Sequence, residues 1–416
     1  MIYRFFKSTF LFVLITMVSC GNNPETKPTS SLEENTSGEN LATDPIVVGA
    51  DRTAEYLPLL KGKKVGVVGN QTSIIGTSAL AETEAQPVHL VDSLVTLGVE
   101  IVKVFAPEHG FRGTADAGEV IKDGMDVKTG LPILSLYGDN KKPSAEQLKD
   151  IEVMIFDIQD VGTRFYTYIS TLHYVMEACA ENNIPLIVFD RPNPNGHYID
   201  GPILEMEHQS FVGMHPIPVV HGLTIGEYAK MVNGEKYLNE GLQTALTVIE
   251  MENYNHNLEY ELPVKPSPNL PNATAINLYP SLCFFEGTNV NEGRGTSNQF
   301  QVFGSPFLDP AVYDYTYVPE PNDGAKHPKH LGKTCYGMNL TDSPRIDSIN
   351  LEWLVGAYQN TSDKSKFFNA FFTKLAGTTK LQEQIEKGMS AEEIKATWED
   401  GLEAYAQTRE KYLLYQ

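Results

Sequence analysis

The chain has 416 residues, of which 41% are hydrophobic and 20% charged, a balance that is ordinary for a globular protein and too apolar for a disordered one. Its formal net charge is -21, which excludes a nucleic-acid partner, because neutralising phosphates requires a basic surface. In so acidic a chain, arginines beside special residues indicate a site for one small anionic group.

The N-terminus has the pattern of a secretion signal. Arg4 and Lys7 precede an apolar run at residues 10–18, and small residues then lead to Cys20. The run is too short to span a membrane, so residues 1–20 are predicted to be a lipoprotein signal peptide with Cys20 as its lipidation site. An ordinary signal peptide with an incidental cysteine is the alternative. The expected location is the cell envelope, as a periplasmic or outer-membrane protein that contacts the membrane through its lipid only.

Residues 21–45 are polar, rich in Pro, Ser, Asn and Glu, and without periodicity, which predicts a flexible tether. The three cysteines beyond it, Cys179, Cys283 and Cys335, cannot all pair with one another because their number is odd. Their apolar neighbours predict buried thiols, and one disulfide stays an open alternative.

Apolar runs and helical spacings alternate over residues 46–210 and predict a Rossmann-like domain with a mostly parallel sheet. Helical spacing occupies residues 88–97 and 171–180. Gly66, Gly69 and Gly76 do not have the G-x-G-x-x-G spacing, so we predict neither NAD nor any other cofactor. The strands are predicted at residues 63–70, 99–105, 133–137, 151–158 and 185–189.

Residues 211–416 predict a second, smaller α+β domain, which makes the fold class α/β with an active site in the cleft between the domains. A strand is predicted at residues 244–251. Thr224 with Glu227, and Ser390 with Glu393, have the spacing of capping boxes at helix starts. The remaining helices are predicted at residues 349–358, 367–375, 381–385 and 391–415.

Residues 104–112, VFAPEHGFR, end an apolar strand with three groups suited to catalysis and anion binding, Glu108, His109 and Arg112. Open α/β sheets build their sites at such carboxyl ends of strands. The alternative is a solvated ion pair between Glu108 and Arg112, which lie four residues apart.

A second strand end carries two acids, an amide, an arginine and tyrosines, which together resemble a sugar site. Gly162 allows a tight turn into the following helix. The alternative is that Asp160 or Thr163 caps that helix while Tyr166 and Tyr168 pack. The candidate binding residues here are Asp157, Gln159, Asp160, Arg164 and Tyr166.

Two further loops complete the set of candidates. The loop that follows the strand at residues 185–189 supplies Asp190, Arg191 and Asn193. A glycine-rich loop at residues 285–296 permits close approach of a ligand, although a surface turn is the ordinary explanation for such a loop. Its candidates are Glu286, Asn289, Glu292 and Arg294.

Several chemistries are excluded by motif. The chain has no H-E-x-x-H or C-x-x-C spacing, so no metal site is predicted. It has no G-x-S-x-G elbow, and residues 332–334 lack the upstream glycine of a phosphate loop, since position 327 is a histidine.

Four stretches together, APEHGFRG, FDIQDVGTRFYTY, DRPNPNG and FEGTNVNEGRGT, resemble the NamZ-like family of exo-β-N-acetylmuramidases. The resemblance extends over everything after the tether, including the final REKYLLY. It implies two α/β domains, a cleft between them, release of terminal N-acetylmuramic acid from peptidoglycan fragments, and Glu108 as the catalytic acid. One departure is Asn298-Gln299-Phe300, where the family pattern has a proline before the phenylalanine.

The residues and the resemblance lead to a mechanism in which Glu108 protonates the glycosidic oxygen, with His109 and Asp160 shaping its pKa. The second catalytic group stays open between Glu286, Glu292, Asp157, Asp160 and the substrate's own acetamido group. Glu286 and Glu292 are favoured, because a two-domain cleft draws groups from both walls.

N-acetylmuramic acid carries a lactyl carboxylate, which requires a local cation. We predict that at least one of Arg112, Arg164, Arg191 and Arg294 pairs with it. The main alternative function is a non-catalytic muropeptide-binding lipoprotein, and an esterase or amidase is disfavoured by the missing elbow and metal ligands.

Overall fold

The computed structural model describes residues 44–76, 87–112 and 123–416. The predicted signal peptide, Cys20 and all but the last two residues of the predicted tether lie outside the described residues. Asp44 to Gln416 form one compact unit. Among the helices described, none combines the length and apolarity needed to cross a membrane.

The centre of the fold is a seven-stranded sheet. Each of the five predicted apolar runs forms one of its strands, and the predicted strand at residues 244–251 forms another. Most of these side chains are buried because helices and the rest of the chain cover both faces of the sheet. The strands are β1 (Lys64–Gly69), β4 (Glu100–Ala106), β5 (Gly124–Met125), β6 (Pro132–Ser135), β7 (Val153–Asp157), β8 (Leu186–Phe189) and β9 (Leu246–Ile249).

The sheet order is β5-β6-β4-β1-β7-β8-β9. Only the β5–β6 pair is antiparallel among these neighbours. Numbered among themselves, the six parallel strands have the order 3-2-1-4-5-6 of doubly wound Rossmann folds. The prediction of a Rossmann-like, mostly parallel sheet is therefore confirmed. A separate two-stranded sheet pairs β2 (Ile74–Ile75) with β3 (Val88–His89).

Helices in the first part of the chain agree with the predicted faces and caps. In α4 (Tyr168–Glu181) the predicted apolar side of the helix is buried. The capping box of α5 (Ile225–Gly234) is formed, since the Thr224 hydroxyl accepts from the Glu227 amide and the Glu227 carboxylate accepts from the Thr224 amide. Capping of α4 by Asp160 or Thr163 is wrong, because its N-cap residue is Thr167. These helices are α1 (Thr53–Leu60), α2 (Leu90–Thr96), α3 (Ala145–Leu148), α4 (Tyr168–Glu181) and α5 (Ile225–Gly234).

Beyond β9 the chain forms helices and a small antiparallel sheet, with the order β10-β12-β11. Its strands are β10 (Val302–Ser305), β11 (Tyr315–Tyr317) and β12 (Cys335–Asn339). The helices are α6 (Ala273–Leu282), α7 (Glu352–Gln359), α8 (Phe372–Ala376), α9 (Lys380–Glu386), α10 (Ala391–Ala396) and α11 (Glu399–Glu410). Short 3-10 turns lie at Gly49–Asp51, Met206–His208, Asn239–Gly241, Cys283–Gly287 and Lys364–Lys366.

The single helix predicted over residues 391–415 is wrong, since two helices occupy this stretch. The capping box of Ser390 and Glu393 does begin α10. The Thr397 hydroxyl then donates to the Ile394 carbonyl at 2.6 Å, and Trp398 turns into the interior with 6% exposure. The first helix therefore ends at Ala396, and the second begins at Glu399.

One hydrophobic core joins the two parts of the chain. Phe156 on β7 and Leu172 on α4 belong to the same buried cluster as Phe284, Leu354 and Ile394 from the second part. The sheet also includes β9, which lies beyond the predicted domain boundary at residues 210–211. Both parts of the chain therefore share one hydrophobic core, which supports the two sides of any cleft between them.

Candidate active site

A cavity of about 1130 Å³ opens at the carboxyl ends of β4, β6 and β7. Its walls come from both parts of the chain, which agrees with the predicted cleft between them. Carboxylates, cations and aromatic rings line it together, as expected for a site that binds a polar ring compound. Its charged lining residues include Glu108, Lys141, Glu286, Glu292, Arg294 and Lys329.

Glu108 reaches the cleft because the chain turns sharply after β4. His109 and Gly110 both adopt left-handed backbone conformations, with φ of 70° and 77°, and such strain in a non-glycine residue is concentrated at functional sites. The Thr167 hydroxyl donates to Glu108 Oε2 at 2.8 Å, and the Tyr137 hydroxyl is a further hydrogen-bond partner. Burial, together with the nearby Glu108 charge, raises the pKa of Tyr137, so this phenol stays protonated and acts as a donor to Glu108.

Four rings form the floor of the cleft, and we call Tyr166, Tyr168, Tyr279 and Phe300 the aromatic floor. Neighbouring rings meet edge to face, at 4.9 Å between Tyr166 and Tyr168, 5.9 Å between Tyr166 and Tyr279, and 4.9 Å between Tyr279 and Phe300. Burial raises the pKa of Tyr166 and Tyr279, so their hydroxyls stay neutral. The floor offers rings and hydroxyl groups beneath a bound sugar.

Opposing charges form a compact cluster on the second wall, and we call Glu286, Glu292, Arg294 and Lys329 the ion quartet. Arg294 Nη2 lies 2.8 Å from Glu286 Oε1, and Arg294 Nε lies 3.2 Å from Glu292 Oε1. Lys329 Nζ lies 3.1 Å from Glu292 Oε2. Burial lowers the pKa of Arg294, but the two carboxylates outweigh it and raise that pKa above its ordinary value. The quartet therefore balances two positive charges against two negative ones.

The two carboxylates of the quartet differ in their freedom. Glu292 is 3% exposed and uses one oxygen for each cation, so it is an anchor. Glu286 is 23% exposed and is carried into the cleft by the 3-10 turn Cys283–Gly287. Lys329 is fixed by three backbone carbonyls as well, those of Phe285, Thr288 and Val290. Glu286 is thus the more accessible acid of this wall.

Three of the four predicted arginines serve the scaffold and do not line the cleft. Arg112 pairs with Asp126 at 2.8 Å and with Asp92 at 3.3 Å, so the predicted alternative of a pair with Glu108 is wrong. Arg191 forms a buried two-point pair with Asp157, at 2.6 and 2.9 Å. Their guanidinium groups are occupied within the protein, which leaves them unsuited to the lactyl carboxylate.

Arg164 is completely buried. It donates to four backbone carbonyls, those of Pro202 and Ile217 at 2.7 Å each, Leu375 at 3.0 Å and Ala376 at 2.7 Å. These acceptors come from both parts of the chain. The predicted contact between Arg164 and substrate is therefore wrong, because its side chain is buried and occupied by these carbonyls.

The remaining predicted residues after β7 are also internal. Gln159 donates to the backbone carbonyls of Asp160 and Pro192. Asp160 Oδ2 accepts from the Gly162 amide at 2.7 Å and lies 3.5 Å from His221 Nε2. Neither Asp157 nor Asp160 lines the cleft, so neither has the position of a second catalytic group.

The same holds for the predicted residues of the next two loops. Asp190 accepts from the Thr224 hydroxyl, the Gly226 amide and the Tyr415 hydroxyl. Asn193 bridges neighbouring loop segments through the Leu223 carbonyl and the Asn195 amide. The Asn289 backbone donates to the Phe367 carbonyl, and its side chain does not line the cleft. Of the predicted site residues, the cleft gathers Glu108, His109, Tyr166, Glu286, Glu292 and Arg294.

Sequence reasoning missed several residues of the cleft. Tyr137, Lys141, Phe211, Tyr279 and Lys329 line it but lie outside the four motifs. Tyr137 is the one with a usable signal, because it ends an apolar run whose carboxyl end lies beside that of β4. The others sit in loops or in a helix without any distinguishing pattern.

A cleft at the carboxyl edge of a parallel sheet, lined by an aromatic floor and by carboxylates from both parts of the chain, defines a carbohydrate hydrolase of the α/β class. The chain belongs to the NamZ family of exo-β-N-acetylmuramidases. Residues 65–274 match its N-terminal domain and residues 277–415 its C-terminal domain, and the family is one of glycosidases.

Individual relatives agree with this assignment. The peptidoglycan β-N-acetylmuramidase NamZ of Bacillus subtilis (strain 168) is 36% identical over 434 aligned residues, which cover 100% of this chain and 99% of that protein. Two crystal structures of DUF1343 family proteins from Bacteroides fragilis NCTC 9343 share the fold. One is 45% identical with a TM-score of 0.81, covering 89% of this chain and 99% of its own. The other is 28% identical with a TM-score of 0.75, covering 90% and 100%.

Proposed function

We propose that the cleft hydrolyses the β-glycosidic bond of a terminal N-acetylmuramic acid in peptidoglycan fragments and releases that sugar. The observation that carries this proposal is the cleft itself, which is lined by Glu108, by the ion quartet and by the aromatic floor together. Membership of the NamZ family and the activity of the Bacillus subtilis relative support the same substrate.

Glu108 is the general acid in this proposal. The Thr167 and Tyr137 hydroxyls fix its carboxyl group, and its protonated form gives a proton to the glycosidic oxygen as the bond to the anomeric carbon breaks. His109 is buried next to it and also lines the cleft. Asp160 was expected to help tune Glu108, but its own contacts point to the Gly162 turn instead.

Glu286 is the second carboxylate in this proposal, because it is more accessible than Glu292 and Arg294 holds one of its oxygens. It acts on the opposite side of the sugar from Glu108, either as the nucleophile or as the base that activates water. The separation of the two carboxyl groups decides between these roles, about 5 Å for retention and about 6.5 to 9.5 Å for inversion. Participation of the acetamido group is the third route.

Arg294 is the proposed partner of the lactyl carboxylate. It is the one predicted arginine that lines the cleft within the described residues. Its Nε and Nη2 groups face Glu292 and Glu286, and a guanidinium has five N–H donors, so donors on Nη1 are left for a ligand. Lys329, which the sequence did not single out, adds a second cation beside it.

The activity is tested by release of a chromophore from aryl β-N-acetylmuramide and from the N-acetylglucosamine analogue. We expect selective turnover of the muramide and a loss of about a hundredfold or more in Glu108→Gln, as for removal of a general acid. Glu286→Gln should also lose most of the activity, and Glu292→Gln less. Glu177→Gln is the matched control, because Glu177 is a buried carboxylate that pairs with Lys142 outside the cleft.

The outcomes separate the alternatives. Binding of muropeptides without turnover of either aryl sugar would refute the proposal and favour a binding protein. Turnover that survives Glu108→Gln would place the acid elsewhere. For the lactyl contact, Arg294→Lys should impair the muramide far more than the glucosaminide, and equal losses on both substrates would refute that assignment.

We also infer that the protein is a lipoprotein of the cell envelope. This rests on the signal-like sequence that ends at Cys20. Cells fed a labelled fatty acid should incorporate the label into the wild type, which should fractionate with membranes, whereas Cys20→Ser should remain unlabelled. An unlabelled wild type would contradict the inference.

A further inference from the structure

A rigid turn presents Phe211 to the cleft. Ser210 and Gly213 exchange two backbone hydrogen bonds, at 2.9 and 3.0 Å. The Gln209 side chain braces the turn through the Met214 carbonyl, and the Ser170 hydroxyl holds the Phe211 carbonyl at 2.7 Å. Phe211 is only partly buried. A partly exposed ring that is already fixed in place loses little conformational entropy when a ligand packs on it.

Two further side chains complete this surface, and we call Tyr137, Lys141 and Phe211 the Phe211 wall. The Lys141 ammonium lies 4.9 Å from the centre of the Phe211 ring, and the Tyr137 ring lies 6.2 Å from it. All three residues line the cleft. Within the described ranges no hydrogen bond or ion pair holds the Lys141 ammonium, in contrast to the cations of the ion quartet.

This combination of groups suits a sugar. A pyranose has an apolar C–H face that packs on an aromatic ring and equatorial oxygens that accept hydrogen bonds. The Lys141 ammonium lies over the Phe211 ring and the Tyr174 ring stacks 6.3 Å from it, so the part of the Phe211 ring that stays exposed supplies the first contact. The Lys141 ammonium supplies three N–H donors for the second.

The location of the wall relative to the acid assigns its role. Tyr137 belongs to the wall, and its hydroxyl is hydrogen-bonded to Glu108. The general acid delivers its proton to the oxygen of the leaving group, so the leaving sugar lies on the side of Glu108. The ion quartet, with its cations for the lactyl group, then faces the muramic acid.

We propose that the Phe211 wall is the leaving-group subsite, which binds the N-acetylhexosamine on the reducing side of the cleaved bond. This inference rests on the proposed function, because it takes Glu108 as the acid. The two sugars then bind to different walls. Arg294 and Lys329 contact the muramic acid, whereas Phe211 and Lys141 contact the N-acetylhexosamine of the leaving group.

The test compares two substrates that share muramic acid and differ in their leaving group. The first is the β-linked disaccharide of N-acetylmuramic acid and N-acetylglucosamine, and the second is β-N-acetylmuramyl fluoride, whose leaving group is too small to touch the wall. Phe211→Leu should lower kcat/KM for the disaccharide about tenfold, mainly through KM, as expected for the loss of ring contacts. It should leave the fluoride unchanged. Lys141→Met should act in the same direction.

Lys364→Met is the matched control for Lys141→Met. The Lys364 ammonium also stands over an aromatic ring, 5.2 Å from the centre of Tyr358, but neither residue lines the cleft. It should leave both substrates unchanged. Inhibition by free N-acetylglucosamine gives a second readout, which should weaken in Phe211→Leu while inhibition by free N-acetylmuramic acid stays the same.

Equal losses on disaccharide and fluoride, or no loss on the disaccharide, would overturn the role of the wall. If the wild type cleaves both substrates and the variants show either of these results, only the role of the Phe211 wall is refuted. A wild type that cleaves neither refutes the proposed function, and the assignment of the wall fails with it.

Discussion

Replacement of Arg164 by methionine tests how the two parts of the chain are held together. Methionine keeps much of the length and apolar volume of the side chain but leaves four buried carbonyls, two of them at Leu375 and Ala376, without their donor. Hydrogen bonds to a charged group contribute about 1.5 to 3 kcal/mol each. The buried charge itself costs free energy, and burial lowers the pKa of Arg164 accordingly, so the contributions do not simply add.

We therefore expect Arg164→Met to lower the free energy of unfolding by about 3 to 5 kcal/mol, the range for breaking a buried charged network. That is a large part of the roughly 5 to 15 kcal/mol that stabilises a typical protein. Urea unfolding followed by tryptophan fluorescence measures it, since the buried Trp398 reports on the helical part. Arg409→Met is the control, because Arg409 is half-buried and donates to one carbonyl, that of Gly222. A loss below about 1 kcal/mol in Arg164→Met would refute the reasoning, because it would mean that water replaces the guanidinium.

Three further predictions concern other buried groups. Burial and the Glu227 charge raise the pKa of Asp190 to about 7, so the folded protein retains a proton that the unfolded chain releases near its ordinary pKa, and stability falls as pH rises from about 4 to about 7. Urea midpoints at pH 5 and pH 8 should differ more in the wild type than in Asp190→Asn, and equal differences would contradict this. Tyr415→Phe removes the hydroxyl that donates to Asp190 and accepts from the Met251 amide and should cost about 1 to 3 kcal/mol in the same assay, whereas an unchanged midpoint would show that the contact is dispensable. Cys179 and Cys335 are buried free thiols, and burial raises the pKa of each to about 12, so a thiol reagent should modify them only after unfolding, and rapid labelling of the native protein would contradict their burial.

The parallel sheet was predictable because its strands are mostly apolar runs between polar turns, with single polar residues such as Lys103 in β4 and Thr247 in β9. The small antiparallel sheet was not, since β10 contains Gly304 and β11 is three residues long. Helix α6 was missed because Pro280 lies inside it and Asn277 is among its buried positions. In each case tertiary packing, rather than local pattern, decides the structure.

The position of Glu108 was predictable because it closely follows a strand whose carboxyl end lies at the cleft. The arginines show why the other site residues could not be placed from the sequence. Arg164 and Arg294 both lie in polar, glycine-containing loops. Arg164 donates to four buried carbonyls, whereas Arg294 pairs with two carboxylates at the edge of a cavity. A sequence gives the donor type, whereas the acceptors come from segments far away in the chain. The role of Lys329 could not be predicted for the same reason, because the carbonyls that it contacts lie about forty residues earlier in the chain.

The internal charge balance of the ion quartet has a kinetic consequence. A protein of net charge -21 repels an anionic sugar acid at long range, and the quartet, with its charges paired within about 3 Å, exerts little compensating pull beyond contact distance. The association rate should therefore rise with ionic strength, because salt shortens the range of the repulsion to about 8 Å at physiological concentration. The ionic strength around the protein therefore determines how fast soluble fragments reach the cleft, whereas contacts inside the cleft determine which sugar is bound.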